Sequence, residues 1–284
     1  MEKICYNEDA GYLEIPMDML PKGISYARKN NIHDIKIENP ATRREYTLDL
    51  SALIGNNSIS SIFISEDVAI GKVDFGPLYS LEGLTKLTMR YEKGCIDFSR
   101  IGGLQTLYIT RANGVMDDLD IEKLKDLLLV FTKNTDCGFL SRLYNLENLR
   151  ISGGNIKSMS GIESLDKLKS IRLDHCANLL DIASVNKVIS LLNLYIEKCG
   201  RLGDFSFLAE NQSIKDLFLS DLNSLSFVPK MKNISSLKFW NLRDGDLSCL
   251  LKSRTLRRVE FHPKKRNYTH TKDEINAFLK QGSS

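Results

Sequence analysis

"LENLRISGGNIKSMSGIESLDKLKSIRLDHCANL", residues 146–179, says nearly the same thing twice. Leu146, Leu149 and Ile151 are answered 22 residues later by Leu168, Ile171 and Leu173. The shared template is an apolar residue, two variable ones, an apolar, one variable and an apolar. It runs outward in both directions. Upstream it matches at Ile32/Ile35/Ile37, Ile59/Ile62/Ile64, Leu84/Leu87/Met89, Leu104/Leu107/Ile109 and Leu124/Leu127/Leu129. Downstream it matches at Leu191/Leu194/Ile196, Ile214/Leu217/Leu219, Ile234/Leu237/Phe239 and Leu256/Val259/Phe261. Eleven matches at spacings of 20 to 27 residues predict a solenoid. The last two apolar residues of each match lie two apart, so they share one side of a short strand. No strand of this length buries a core alone. Stacked in parallel, the strands pool their apolar sides, and the residues between them face the opposite way. The return segments are too short for long helices and are expected as single helical turns, 3-10 turns or extended chain.

Composition narrows the rest. The chain has 284 residues with 39 Lys+Arg against 36 Asp+Glu, a net charge of +3 that calls for neither nucleic acid nor an acidic membrane. The N-terminal "MEKICYNEDAGYLEI" has no apolar core of a signal peptide. No stretch approaches the ~18 apolar residues of a membrane span. The six cysteines are scattered without a Cys-x-x-Cys pair and are expected as reduced thiols. A cytoplasmic location is therefore expected.

The "L-x-x-L-x-L" pattern at this period resembles the leucine-rich repeat family. That resemblance covers about residues 32–262 and is specific for fold. It implies an α/β solenoid, a horseshoe with a parallel β-sheet on the concave face and short helical, 3-10 or extended convex segments. The family usually carries Asn or Cys three residues after the last apolar position. Cys176 and Cys199 fit, whereas Leu222 and Leu242 replace it, so the turns should be less regular. Residues 1–31 are expected as an N-terminal cap with a short helix after Pro21, and residues 263–284 as a C-terminal cap helix and tail. In "THTKDEINAFLK", Thr271 and Glu274 stand in capping-box spacing before Ile275, Phe278 and Leu279.

No enzymatic constellation stands out. "AIGKVDFG" lacks the first glycine and the Ser/Thr of a phosphate loop. His33, His175, His262 and His270 are scattered, so no metal or cofactor site is expected. Asp174, His175 and Cys176 are consecutive, and consecutive strand residues point to opposite sides, so they cannot converge as a catalytic triad does. Cys176 and Cys199 are expected as small apolar residues in buried turns. Cys95-Ile-Asp97 matches a Cys-x-Asp motif of bacterial leucine-rich repeat ubiquitin ligases, but no residues remain for their separate catalytic domain.

The message then lies in the outward positions of the strands. Seven are basic (Lys36, Lys86, Arg90, Arg150, Arg172, Lys238, Arg258) and seven acidic (Asp34, Glu38, Asp126, Asp174, Glu197, Asp216, Glu260), a balance unlike a nucleic-acid groove. Large apolar groups stand among them. Phe63, Arg90, Tyr108, Leu128, Val130, Arg150, Arg172, Tyr195, Phe218 and Trp240 are the candidate partner-binding residues. Aromatic residues and arginines amid mixed charge are the composition of protein-binding hot spots. A non-enzymatic, monomeric protein-binding scaffold is expected. Its resemblance to small cytoplasmic bacterial repeat proteins implies an immunity protein that binds and blocks a toxin. The alternative is a polyanion or nucleic-acid adaptor through Lys86, Arg90, Arg111, Arg150 and Arg172. The intervening Asp126 and Asp174 oppose it.

Overall fold

The computed structural model describes residues 4–40 and 46–281. Residues 1–3, 41–45 and 282–284, which fall in the expected N-terminal cap, solenoid and C-terminal tail, lie outside the described residues. The chain forms two compact units, Met1–Lys133 and Asn134–Ser284.

In the first unit the strands are β1 (Cys5–Asn7), β2 (Tyr12–Pro16), β3 (Asp34–Glu38), β4 (Ser61–Ile64), β5 (Lys86–Glu92), β6 (Thr106–Asn113) and β7 (Asp126–Val130). Helices α1 (Leu20–Lys29) and α2 (Gly76–Tyr79) fill two return segments. The β1 strand pairs antiparallel with β2, and every later pair is parallel. The ladder aligns Leu13, Ile35, Ile62, Leu87, Leu107 and Leu127, all buried. The template does not reach β2, because Ala10 stands where it asks for a large apolar residue. Yet Leu13 and Ile15 continue the buried rows, 22 residues before Ile35 and Ile37. The N-terminal segment therefore adds a rung as well as the expected helix, which begins one residue before Pro21.

The second unit repeats the plan with β8 (Asn148–Ser152), β9 (Ser170–Asp174), β10 (Asn193–Glu197), β11 (Asp216–Leu222), β12 (Ser236–Leu242) and β13 (Arg258–Phe261). All five pairs are parallel, and the register aligns Leu149, Ile171, Leu194, Leu217, Leu237 and Val259. These are the second apolar positions of the template, so the sequence period is the structural period. Returns are 3-10 turns such as Ala183–Lys187, Ser206–Glu210 and Ser248–Lys252. An aspartate opens each of these three, accepting the backbone N–H two residues on: Asp181 from Ala183, Asp204 from Ser206 and Asp246 from Ser248. This local bond satisfies a donor that the turn would otherwise strand.

The last rung is closed by helix α3 (Lys272–Gln281), which buries Ile275 and Leu279. Thr271 and Glu274 exchange the two hydrogen bonds of a capping box. Asn276 then acts as a surrogate strand. Its side chain accepts from Val259 N–H and donates to Val259 C=O, so this stretch of the β13 edge is not left open to another chain.

Cys137, Cys176 and Cys199 are buried, Cys5 is exposed, and Cys95 and Cys249 are half-buried. Burial pushes the Cys137 thiol well up. A charged thiol reagent on the native protein should label Cys5 first and Cys95 and Cys249 slowly, reaching the buried three only in urea. Mass spectrometry reads the order, and rapid native labelling of Cys137 would contradict the packing.

Candidate functional site

Alternation along each strand sends apolar residues inward and leaves the others on a second face. In the second unit Arg150, Arg172, Tyr195, Phe218 and Lys238 stand side by side in register across β8 to β12. Their side chains are ordered by contacts along the row. The Arg172 guanidinium lies over the Tyr195 ring at 4.1 Å. Tyr195 stacks on Phe218 at 4.2 Å, and Phe218 meets Trp240 edge-on at 5.0 Å. Behind them Tyr268 donates to the Trp240 carbonyl and accepts from Leu242 N–H, bracing the end of β12.

The row differs from a simple exposed column. Phe218 is only 5% exposed, because two rings and the Lys238 ammonium, 5.9 Å from its centroid, cover it. Tyr195 and Trp240 remain half-exposed. Asp174 is 2% exposed, sunk between Arg150 Nε at 2.7 Å and Arg172 Nε at 2.9 Å. The Tyr195 hydroxyl donates to Glu197 at 2.6 Å. Burial, and next this hydrogen bond, push the phenol up to about 12. Its raised value means that it stabilises the fold below the ordinary phenol range near 10 and loses that contribution as pH climbs to about 12. Absorbance titration should show a phenol ionising near pH 12 that Tyr195→Phe removes.

Asp174, His175 and Cys176 do not converge, but the cause is the end of β9 at Asp174 rather than alternation, which would set Asp174 and Cys176 on one side. Asp174 stays on the outer face, and His175 leaves the strand at φ +55°. Cys176 turns into the core, 3.4 Å from the Asp174 carbonyl.

In the first unit Phe63 and Tyr12 meet edge-on at 6.4 Å, with the Lys36 ammonium 5.9 Å and 5.7 Å from their centroids. Lys36 also pairs with Glu38 at 3.1 Å and Glu14 at 3.4 Å. The Lys86 ammonium lies 5.6 Å from the Tyr108 ring. Leu128 and Val130 are half-exposed on the same side of β7. Arg90 is bound to Glu92 at 2.7 Å and to the Glu66 carbonyl. The β5–β6 register slips after Met89, so Arg90 faces Arg111 rather than Thr110. Tyr12, Glu14 and Tyr268 carry no signal in the sequence period because they lie outside the eleven template matches.

The geometry admits comparison with known proteins. No family model matches the chain. An internalin, InlF, from Listeria monocytogenes superposes with a TM-score of 0.52 at 18% identity, covering 86% of this chain and 69% of that one. The functional domain of InlJ from the same organism, described as including a cysteine ladder, gives 0.52 at 18% identity, covering 80% and 50%. The fold is that of a leucine-rich repeat protein. The disease resistance protein RPP2A of Arabidopsis thaliana is 28% identical over 122 residues, 41% of this chain. The chain matches only 9% of that curated relative's length. At these identities the likeness speaks for the leucine-rich repeat fold alone. Among the described residues no helix is long and apolar enough to cross a membrane, and no cluster of three metal-ligating side chains occurs.

Proposed function

We propose that the protein is a non-enzymatic scaffold that binds another protein through the strand face of its repeats, with the second unit supplying the principal contact. The observation that carries this reading is the ordered row from Arg172 through Tyr195 and Phe218 to Trp240. Its rings are fixed before any partner arrives, and Tyr195 and Trp240 keep open surface. Pre-ordered aromatic surface binds at low entropic cost. The first unit carries a patch of its own in Tyr12, Lys36, Phe63, Lys86 and Tyr108.

Mixed charge argues against polyanion binding. Arg150 and Arg172 share Asp174, and Arg172 also lies 3.6 Å from Glu197. The test is capture from a lysate of the source organism on the immobilised chain, eluted at rising salt beside Tyr195→Ser/Trp240→Ala. One protein held through high salt by the native chain and lost by the variant supports the reading. Nucleic acid leaving at modest salt would overturn it. A captured toxin would bring the scaffold into the class of immunity proteins.

A further inference from the structure

Arg150 and Arg172 are direct neighbours across β8 and β9, a placement that sets like charges side by side. The device that tolerates it is Asp174, which spends both oxygens on the two Nε groups: Oδ2 with Arg150 at 2.7 Å, Oδ1 and Oδ2 with Arg172 at 2.9 and 3.1 Å. Binding through Nε leaves the terminal Nη groups unspent. Arg172 turns Nη2 toward Glu197 at 3.6 Å and holds its guanidinium carbon over the Tyr195 ring. Among the described residues Arg150 makes no other hydrogen bond or ion pair, and its side chain is 47% exposed. The face therefore presents one guanidinium fork that is anchored from below and open from above.

The geometry points to Arg150 as the receptor for a single carboxylate on a partner protein, whose neighbouring apolar or aromatic side chain rests on the Tyr195–Trp240 row. This rests on the strand face being the protein-binding surface. An arginine fork matches a carboxylate through two parallel hydrogen bonds. The choice of a lone carboxylate over a phosphate chain follows from what surrounds the fork. Asp174 lies beneath it and Glu197 beside the next guanidinium, so further negative charge meets repulsion. Spacing sharpens the motif. Tyr195 lies two strands from Arg150, about 10 Å. An extended segment crossing the strands covers that in about three residues. Trp240, four strands away, is reached in about six.

The test is selection of a random 12-residue peptide display library on the full chain, with a single-stranded oligonucleotide as a parallel probe. Enriched peptides should carry Asp or Glu about three to six residues from an aromatic or aliphatic residue. For a synthetic enriched peptide, Arg150→Ala should weaken binding at least tenfold, and Arg150→Lys nearly as much, because an ammonium lacks the fork. Replacing the peptide's acid by its amide should cost the same, and combining it with Arg150→Ala should add nothing. Circular dichroism must show both variants fully folded at the assay temperature. Arg150→Ala lowers the melt, because Asp174 loses one of its two guanidinium partners, but Arg172 still holds that carboxylate. Acid-free peptides would overturn the carboxylate assignment, as would acidic peptides indifferent to Arg150→Ala. If those peptides still depended on Trp240, the binding face would survive without the fork. An oligonucleotide bound tightly and lost with Arg150→Ala would replace the carboxylate by a polyanion. An empty selection would count against both fork and face.

Discussion

Gly161→Ala destabilises the second unit by about 3–5 kcal/mol, among the largest effects a single methyl group can have in this chain. Gly161 adopts φ +105°, where an L side chain is strained. The new Cβ would also press on the rung before it, against Gly138 N, 2.5 Å from Cys137 C and 2.6 Å from Gly138 Cα. These are backbone atoms, and they are held by the Cys137 N–H bond to the Ser160 carbonyl. No side-chain rotation relieves the clash, so the rungs must separate. Gly200 is the control. A methyl group there would enter open space, with no heavy atom within 4 Å, and its φ lies outside the left-handed region. Gly200→Ala should fall within about 0.5 kcal/mol of the native chain. Urea titration reads both, as a midpoint shift at constant slope. If Gly161→Ala unfolds with the native midpoint, the rungs do not approach at Gly138 as described.

Leu194→Ala should cost about 2–5 kcal/mol. Leu194 is 1% exposed and sits in register between Ile171 and Leu217. Truncation leaves a hole between three consecutive rungs. A solenoid cannot refill it from a distant core, because each rung touches only its neighbours. A calorimetric melt checks it. A Tm within a degree of the native value would mean that the inward and outward faces are assigned the wrong way round.

The inward face was the most legible part of the chain. Leu149, Leu194 and Leu237 recur at nearly constant spacing, and burial on a pleated strand has no other way to be written. The β2 rung was hidden by one small residue, Ala10, although Leu13 and Ile15 were in place. The aspartate turns at Asp181, Asp204 and Asp246 also recur at 23 and 42 residues, and only attention to polar rather than apolar period would have found them. The candidate face was legible as a set of residues, not as an arrangement. Alternation put Phe218 and Asp174 on the outer side. It could not show that rings from two neighbouring strands would cover Phe218, or that two arginines would close over Asp174. Those are contacts between rungs about 22 residues apart, and no local pattern encodes them. The slip after Met89 is likewise tertiary, so the first unit's outer column could not be aligned from sequence.

The claim that the folding face and the binding face are separate is tested most directly by measuring melting and partner capture on Leu194→Ala and Trp240→Ala side by side. The account predicts an early melt for Leu194→Ala. For Trp240→Ala it predicts a melt within a few degrees of native, lowered only by the lost edge contact on Phe218, with the partner lost, because Trp240 is half-exposed at the end of the aromatic row. Trp240→Ala melting as early as Leu194→Ala, or binding the partner as the native chain does, would contradict it.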